Sequence, residues 1–296
     1  MALSVNTNNG ASAALQSLNA TNRNLDRVQS RINTGLNVSS TKDDSSAYTI
    51  AQGLRGDLGE LKAVTSSLSS AKSVTDVAVA GAEQISDVVN QMKALAKQAA
   101  DTTISAETRK AYNDDFVALR KQITTIINSS EFNGTNLLKN GGGTVGALQS
   151  LQDKSATPGT TSYVADTLDV ANQDLTLPDT EVAGSATDAT VGRLGADSQI
   201  DTAAKASLMV STLETYAKKV ETSLSTLGSA SRQIDNQITF TSKLSDTIES
   251  GIGNLVDADL AKESAKLQAL QVKQQLGVQA LSIANQAPQT IISLFQ

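Results

Sequence analysis

Two long stretches of this chain place small or apolar residues at alternating steps of four and three. The first series is Val64, Leu68, Ala71, Thr75, Ala78, Ala82, Ile85, Val89, Met92, Ala96 and Ala99. The second is Leu213, Ala217, Val220, Leu224, Leu227, Ser231, Ile234, Ile238, Thr241, Ser245 and Ile248. An average repeat of about 3.5 residues keeps one stripe of a helix on its partner, which is the seam of a left-handed coiled coil. Leu68, Ile85 and Val89 from the first arm and Leu224, Leu227, Ile234 and Ile238 from the second are the expected seam contacts. A helix from about Ser45 to Ala100 would be roughly 80 Å long at about 1.5 Å per residue.

Proline placement agrees. The three prolines are Pro158, Pro178 and Pro288, so residues 1–157 and 179–287 carry none. Proline removes a donor and clashes with the preceding helical turn. The expected fold is therefore mainly α: a long antiparallel helical bundle or coiled coil built from N- and C-terminal arms, with a small β-rich central insert. A break at Asp101–Ile104 precedes a shorter helix, with Ser105 as N-cap and Glu107 at the positive end of the helix dipole. That helix carries Phe116, Leu119, Ile123, Ile126 and Ile127 and stops near Ser130, and Asn133-Gly134 then reads as a turn.

The texture changes between Gly141 and Asp201. Nine acids (Asp153, Asp166, Asp169, Asp174, Asp179, Glu181, Asp188, Asp197, Asp201) oppose two bases (Lys154, Arg193), giving −7 against −6 for the whole chain. Ser162–Val164 and Asp174–Leu177 read as short strands within solvated loops. The two ends differ again. An apolar stripe through Ala11, Leu15, Leu18, Leu25, Val28 and Ile32 is matched near the other end by Leu260, Leu267, Leu270, Leu276, Leu281, Ile283, Ile291, Ile292, Leu294 and Phe295. Isolated helices are marginal and must bury such a face somewhere. The ends are expected to pair with each other, with other copies of the chain, or both.

Composition excludes much chemistry. With no Cys and no His, disulfides, thiolate nucleophiles, Ser-His-Asp catalysis and H-E-x-x-H metal binding are all ruled out. An acidic chain with 3 % aromatics lacks the basic grooves and stacking platforms of a nucleic-acid binder. No stretch approaches the roughly 18 apolar residues of a spanning helix. Residues 1–9 lack a cleavable signal, so a secreted fate would use a route that removes no leader. Gly141-Gly-Gly143-Thr-Val-Gly146 formally satisfies G-x-G-x-x-G, but it follows a helix exit rather than a buried strand, and reads as a flexible loop. Asp43-Asp44, Asp114-Asp115 and Asp257-Ala-Asp259 lack EF-hand spacing. No catalytic residue, metal site or cofactor is expected.

Several runs resemble the signatures of bacterial flagellins: Asn6-Thr-Asn8, Arg31-Ile-Asn-Thr-Gly35, Lys42-Asp43-Asp44, Phe132-Asn133-Gly134 and Leu137-Leu138 in the first half. Near the other end, Val256-Asp-Ala-Asp-Leu260-Ala-Lys-Glu-Ser-Ala265 and Ala269-Leu-Gln-Val-Lys-Gln-Gln-Leu-Gly-Val-Gln-Ala-Leu-Ser-Ile-Ala-Asn-Gln-Ala-Pro-Gln289 match more tightly, followed by Leu294-Phe295. The resemblance covers about residues 1–140 and 205–296 and implies a non-enzymatic, extracellular filament subunit for swimming motility. It implies an inner-core domain of 1–42 plus 254–296, a bundle domain of 43–140 plus 205–253, and a surface insert of 141–204. The terminal ends would order on assembly, with Leu15, Leu18, Leu25, Ile32, Leu267, Leu270, Leu281 and Phe295 driving polymerisation. Arg31, Lys42, Asp43 and Asp44 would make polar contacts where the two core layers join, with Asp43-Asp44 paired to Lys42 or Arg31.

The implied partners are other subunits, the flagellar type III export apparatus, an export chaperone, the filament cap and hook-associated proteins. Gln91 stands where members seen by the vertebrate flagellin receptor usually carry Arg. Ser46 and Tyr48 also depart from the usual run in the segment sensed by plants, so weak recognition by host flagellin receptors is expected. The alternatives are a hook–filament junction protein, which shares terminal helices, and a flagellin-like surface adhesin.

Overall fold

The computed structural model describes residues 8–153, 164–177, 194–195 and 198–292. Among them are five helices: α1 (Asn9–Thr34), α2 (Ser45–Ala99), α3 (Ala106–Ser129), α4 (Ala203–Val256) and α5 (Leu260–Ile292). Two antiparallel strands, β1 (Val145–Asp153) and β2 (Ala165–Val170), pair Val145 with Val170 and Leu148 with Thr167, and the register is irregular between Leu148 and Asp153. The mainly helical fold with a small sheet is the one that periodicity and proline placement dictate. The chain forms two compact units, residues 1–58 with 246–296 and residues 59–245. The division cuts α2 after Leu58, later than the expected 42/43 boundary, and puts 141–204 with the larger unit.

In the larger unit every residue of the first four-three series is buried. The second series is split: Leu213, Val220, Leu227, Ile234 and Thr241 are buried, while Ala217, Leu224, Ser231, Ile238 and Ser245 are partly covered. One heptad position of α4 thus faces the core and the other lies at its edge. Small residues on α2 (Ala71, Ala78, Ala82, Ala96) leave room for this packing, and α3 adds Phe116, Ile123 and Ile127 to the same cluster. Asn113 and Arg120 share that face of α3: Asn113 Oδ1 accepts from Ile200 N at 2.7 Å, and Arg120 donates to the Ser198 carbonyl at 2.8 Å. Lys72 bridges α2 to α4 with Nζ 3.2 Å from Asp235 and 3.2 Å from Asp76. Burial works against the charge of Lys72, but the Asp235 and Asp76 hydrogen bonds outweigh it and hold its pKa above the ordinary lysine value.

The local signals at α3 behave as expected. Ser105 accepts from Thr108 N at 3.1 Å as N-cap. The helix closes at Ser130, and Asn133 and Gly134 turn the chain with φ of 51° and 81°. The glycine run that follows is tied down by side-chain amides. Asn136, buried, donates to Ile127 O and accepts from Leu138 N and Lys139 N, while Asn172 Nδ2 donates to the carbonyls of Asn136, Lys139 and Gly143. A Cβ on Gly142 would lie 2.0 Å from Asn136 O, so only glycine fits there. This loop gathers carbonyl oxygens around an amide donor, the reverse of the N–H cradle that a phosphate needs.

The strand expectations need correcting. Asp174–Leu177 is irregular, anchored by Gln173 N and Leu175 N donating to Leu137 O and Leu138 O at 2.7 Å, and by the Tyr216 hydroxyl donating to Leu175 O. Of Ser162–Val164, only Val164 lies within the described residues, just before β2.

Candidate functional site

The smaller unit pairs α1 with α5. The helices are antiparallel: Asn8 Nδ2 donates to Ala284 O at 2.7 Å, Gln274 Nε2 donates to Asn22 Oδ1 at 2.8 Å, and Arg31 lies near Glu263. α1 starts at Asn8, whose side chain accepts from Ala11 N. It ends at Gly35, which adopts φ 71° and returns its N–H to Arg31 O. A side-chain-bearing residue would be strained in that left-handed cap. Beyond the cap, Asn37 N and Val38 N reach Val256 O, and Ala258 N reaches Gly35 O, so the exit of α1 is stitched to the end of α4 and the turn into α5.

The shielded positions on both helices alternate by three and four. On α1 they are Ala11, Ala14, Leu18, Thr21, Leu25, Val28 and Ile32, and on α5 Glu263, Leu267, Leu270, Gln274, Gly277, Leu281 and Ala284. The sequence-expected Leu18, Leu25, Ile32, Leu267, Leu270 and Leu281 therefore lie on one intramolecular seam. Leu15 does not, being 48 % exposed, and Phe295 lies outside the described residues. Sequence reasoning missed Thr21, Gln274 and Gly277, because it looked for apolar side chains rather than for the spacing itself. Thr21 satisfies its hydroxyl on Ser17 O at 2.9 Å, and Gly277 approaches closely enough that an added Cβ would meet Leu18 Cδ1 at 3.3 Å.

A second series on α5 is exposed and has no partner among the described residues. Ala265, Ala269, Val272, Leu276, Gln279 and Ile283 repeat the same steps two residues out of phase with the first. Two residues rotate a helix by about 200°, so this series occupies the face opposite α1. Val272 is 56 %, Leu276 58 % and Ile283 69 % exposed. α5 is thus apolar on two opposite faces, and α1 covers one.

The polar residues at the junction arrange themselves differently from the expected ion pair. Asp43 closes a tight turn by accepting from Ser39 and Ser40, through both backbone N–H and hydroxyl groups at 3.0–3.2 Å. The Ser39 hydroxyl is the leading cause of a pKa held below the ordinary aspartate value, with burial opposing it and the Ser39 N–H and Ser40 groups adding to the lowering. Asp44 caps α2 by accepting from Ala47 N at 3.0 Å. Lys42 is exposed. Among the described ion pairs, Arg31 meets Glu263 at 3.8 Å instead, and Lys266 contacts the same carboxylate oxygen. The local run misled because serine neighbours satisfy Asp43 first, while the partner of Arg31 lies far away in sequence. Arg31 in the last turn of α1 and Glu263 in the first turn of α5 each also meet a helix end of opposite sign.

The bundle residues Leu68, Ile85, Val89, Leu227 and Ile234 are fully covered, and Leu224 and Ile238 pack against them from its edge. Gln91 and Ser46 are exposed, and Tyr48 is partly buried against the Val38–Ala51–Ile252–Val256 cluster. Among the described residues no three His, Cys, Asp or Glu converge in a metal-binding group, and no helix is long and apolar enough to cross a membrane. Among the described residues the candidate site is a pair of packing faces on α5.

Comparison with known proteins agrees. Residues 5–142 match the bacterial flagellin N-terminal helical region and residues 210–295 the bacterial flagellin C-terminal helical region. The chain is 41 % identical to Flagellin FljM of Caulobacter vibrioides over 293 residues, covering 99 % of this chain and 98 % of the relative. It is 35 % identical to the flagellin of Brucella melitensis over 305 residues, covering 99 % of each. Among solved structures, Bacillus cereus flagellin aligns with a TM-score of 0.44 and 22 % identity, over 58 % of this chain and 86 % of that one.

Proposed function

Because the chain belongs to the bacterial flagellin family, we propose that its paired terminal helices are the polymerising element of a flagellar filament subunit. The family's filament is extracellular and structural, and the chain is a filament subunit rather than an enzyme. The observation that carries the finer reading is the bare second face of α5. Val272, Leu276 and Ile283, with Leu15 on α1, are large aliphatic groups left in water beside a seam that is already filled. Burying each fully is worth no more than about 1.5–3 kcal/mol, but every copy repeats the same surface. A face covered by a different surface of the neighbour makes a head-to-tail contact, and such contacts give an open helical polymer when their rotation does not close.

On this reading residues 1–42 and 254–296 form the inner core of the filament, residues 43–140 and 205–253 the layer around it, and 141–204 a surface excursion. Leu18, Leu25, Ile32, Leu267, Leu270 and Leu281 hold α1 on α5, while Leu15, Val272, Leu276 and Ile283 face other subunits. Export as an unfolded chain through the type III apparatus, with a chaperone, and growth under a cap beside hook-associated proteins complete the proposal. Gln91 in place of an Arg removes a bidentate charged donor, which supports weak recognition by the vertebrate receptor. Gln91→Arg should then raise potency in a receptor-reporter assay.

The test is seeded growth of purified chain, followed by negative-stain microscopy and sedimentation. The full chain should give long uniform filaments, and a chain lacking residues 260–296 none. Val272→Asp with Ile283→Asp should abolish growth while circular dichroism of the monomer stays unchanged. Growth of that double variant at the parent's rate would refute the assignment of this face.

A further inference from the structure

We propose that Asn140 is a site of spontaneous covalent modification, where the side-chain amide closes onto the backbone and is converted to isoaspartate and aspartate. The inference stands whether or not the chain assembles. Asparagine followed by glycine is the pair most open to this chemistry, because no Cβ shields the attacking amide nitrogen. The chain has three such pairs, Asn9-Gly10, Asn133-Gly134 and Asn140-Gly141. The dipeptide alone does not rank them, but the backbone does.

Asn133 and Asn140 are both exposed, and each is the first central residue of a tight turn. Ring closure needs the glycine nitrogen to swing onto the side of the backbone that carries Cβ. At Asn133, φ of 51° followed by 81° at Gly134 defines a type I′ turn, closed by Phe132 N to Thr135 O and Thr135 N to Phe132 O, each at 3.0 Å. A residue there has ψ of about +30°, which sets the next nitrogen about 150° away from Cβ. Both closing bonds must break before Asn133 can react. At Asn140 φ is negative, Gly141 has φ 70°, and Gly142 N reaches Lys139 O at 3.0 Å, which is a type II turn. There ψ is about +120° and can move through the allowed extended region to about 180°, bringing the nitrogen to about 60° from Cβ. One bond closes this turn. Asn9 opens α1, with Ala11 N and Ser12 N bonded back to Asn8 around it. The bonds that tie down the glycine loop spare the reacting atoms. Asn172 holds the carbonyls of Asn136, Lys139 and Gly143, whereas among the described residues neither the Asn140 side chain nor the Gly141 N–H has a partner.

Gly141 N, giving its proton to solvent base, bonds to Asn140 Cγ; the Cγ–Nδ2 bond breaks and ammonia leaves. The five-membered imide then takes up water. Opening at Cγ gives aspartate, and opening at the backbone carbonyl carbon gives isoaspartate, with the chain rerouted through Cβ and Cγ. Water enters, ammonia leaves, nothing is oxidised or reduced, and one negative charge is gained. Isoaspartate adds a backbone atom to a loop without slack: Asn136 N binds Gly142 O at 3.0 Å, and a Cβ on Gly142 would lie 2.0 Å from Asn136 O. The conversion therefore loosens the entry to β1, while aspartate at the same position leaves it intact.

The test incubates the full folded chain in mildly alkaline buffer and digests it with trypsin. Cleavage after Lys139 puts Asn133 and Asn140 on separate peptides, and mass spectrometry with electron-transfer fragmentation tells isoaspartate from aspartate. Asn140 should convert at least about tenfold faster than Asn133, reflecting the extra closing bond and the wrong-sided nitrogen at Asn133. In urea, where only the shared dipeptide remains, the two rates should converge. Isolated isoaspartate chain should exchange the amides of residues 145–148 faster than the parent, and Asn140→Asp should match the parent. Equal rates in the folded chain, a faster Asn133, or the same ratio in urea as in buffer would overturn the assignment. Parent-like exchange in the isoaspartate chain would overturn the loosening of β1.

Discussion

Gly81 offers a case where helix propensity and packing predict opposite signs. It lies inside α2, where replacing glycine by alanine in a helix interior ordinarily gains about 0.8–1.0 kcal/mol. In this fold a Cβ at that position would stand 2.2 Å from Ser130 Oγ, 2.9 Å from Leu138 Cδ1 and 3.1 Å from Ser130 Cβ. Leu138 Cδ1 is a movable end, but Ser130 is not free to yield. Its hydroxyl donates to Ile126 O at 2.8 Å, and its N–H reaches Ile126 O and Ile127 O to close α3. Rotating the hydroxyl away forfeits a bond worth about 1 kcal/mol, and the remaining Cβ contact forces a shift typical of overpacking, about 1–3 kcal/mol. Against the propensity gain, Gly81→Ala should destabilise the larger unit by about 1–3 kcal/mol, read from urea unfolding of the monomer. Combining it with Ser130→Gly removes both Oγ and Cβ, so the pair should show a favourable coupling of at least about 1 kcal/mol in a double-mutant cycle. If Gly81→Ala is as stable as the parent or more so, the close approach of α2 to the end of α3 is wrong.

Further outcomes are expected at three residues. Tyr216→Phe should cost about 1–3 kcal/mol, because Leu175 O loses its donor in a buried site. Burial, with Asp174 nearby, also pushes the Tyr216 phenol above its ordinary value of 10.0. Its stabilising effect is therefore whole below pH 10.0 and lost as the pH rises beyond it, and one of the four tyrosines should stay unionised in an ultraviolet titration at pH 11. Asp43 runs the other way: its pKa is lowered from 3.8, so the turn at Ser39–Asp43 should persist as pH falls to 3.8 and loosen below it, as carboxyl chemical shifts would report. Asp44→Ala removes the cap at Ala47 N and should cost about 0.5–2 kcal/mol at the start of α2, seen as faster amide exchange there. Exchange unchanged at residues 47–50 would show that the cap is not what starts the helix.

The elements most legible in the sequence were those governed by short-range rules. The four-three series, Ser105, Ser130 and Asn133-Gly134 each act within one helical turn, and residues 64–99 occupy the core as their spacing requires. Features resting on distant partners were not legible. The sheet begins directly after the glycine run because Asn172 binds the carbonyls of Asn136, Lys139 and Gly143, a tie across about thirty residues with no local signal. Arg31 finds Glu263 rather than the adjacent-looking Asp43-Asp44, since those carboxylates are already satisfied by backbone N–H groups only a few residues away. Leu15 was legible as apolar but not as outward-facing, because composition alone does not tell which side of α1 meets α5.

The two faces of α5 bear on how folding and assembly are linked. The face toward α1 contains Leu267, Leu270 and Leu281, but also Gln274, Gly277 and the charged Glu263. The bare face contains Ala265, Ala269, Val272, Leu276 and Ile283, interrupted by Gln279. The apolar content is nearly equal on both sides, so pairing with α1 satisfies only about half of what this helix could bury. Helices of this kind draw most of their stability from packing rather than propensity. On the proposed reading, the isolated pair is accordingly the weaker state, and the neighbour that covers Val272, Leu276 and Ile283 supplies the remainder. The Arg31–Glu263 contact supports the same view: Arg31 Nε and Glu263 Oε2 are buried without hydrogen-bond partners, and orphaned polar groups of that kind cost about 1–3 kcal/mol each. Such a defect weakens the seam, and on the proposed reading assembly on the far face of α5 strengthens it. Amide exchange along Leu18–Val28 should therefore slow on polymerisation, and unchanged exchange there would break the link between the two faces.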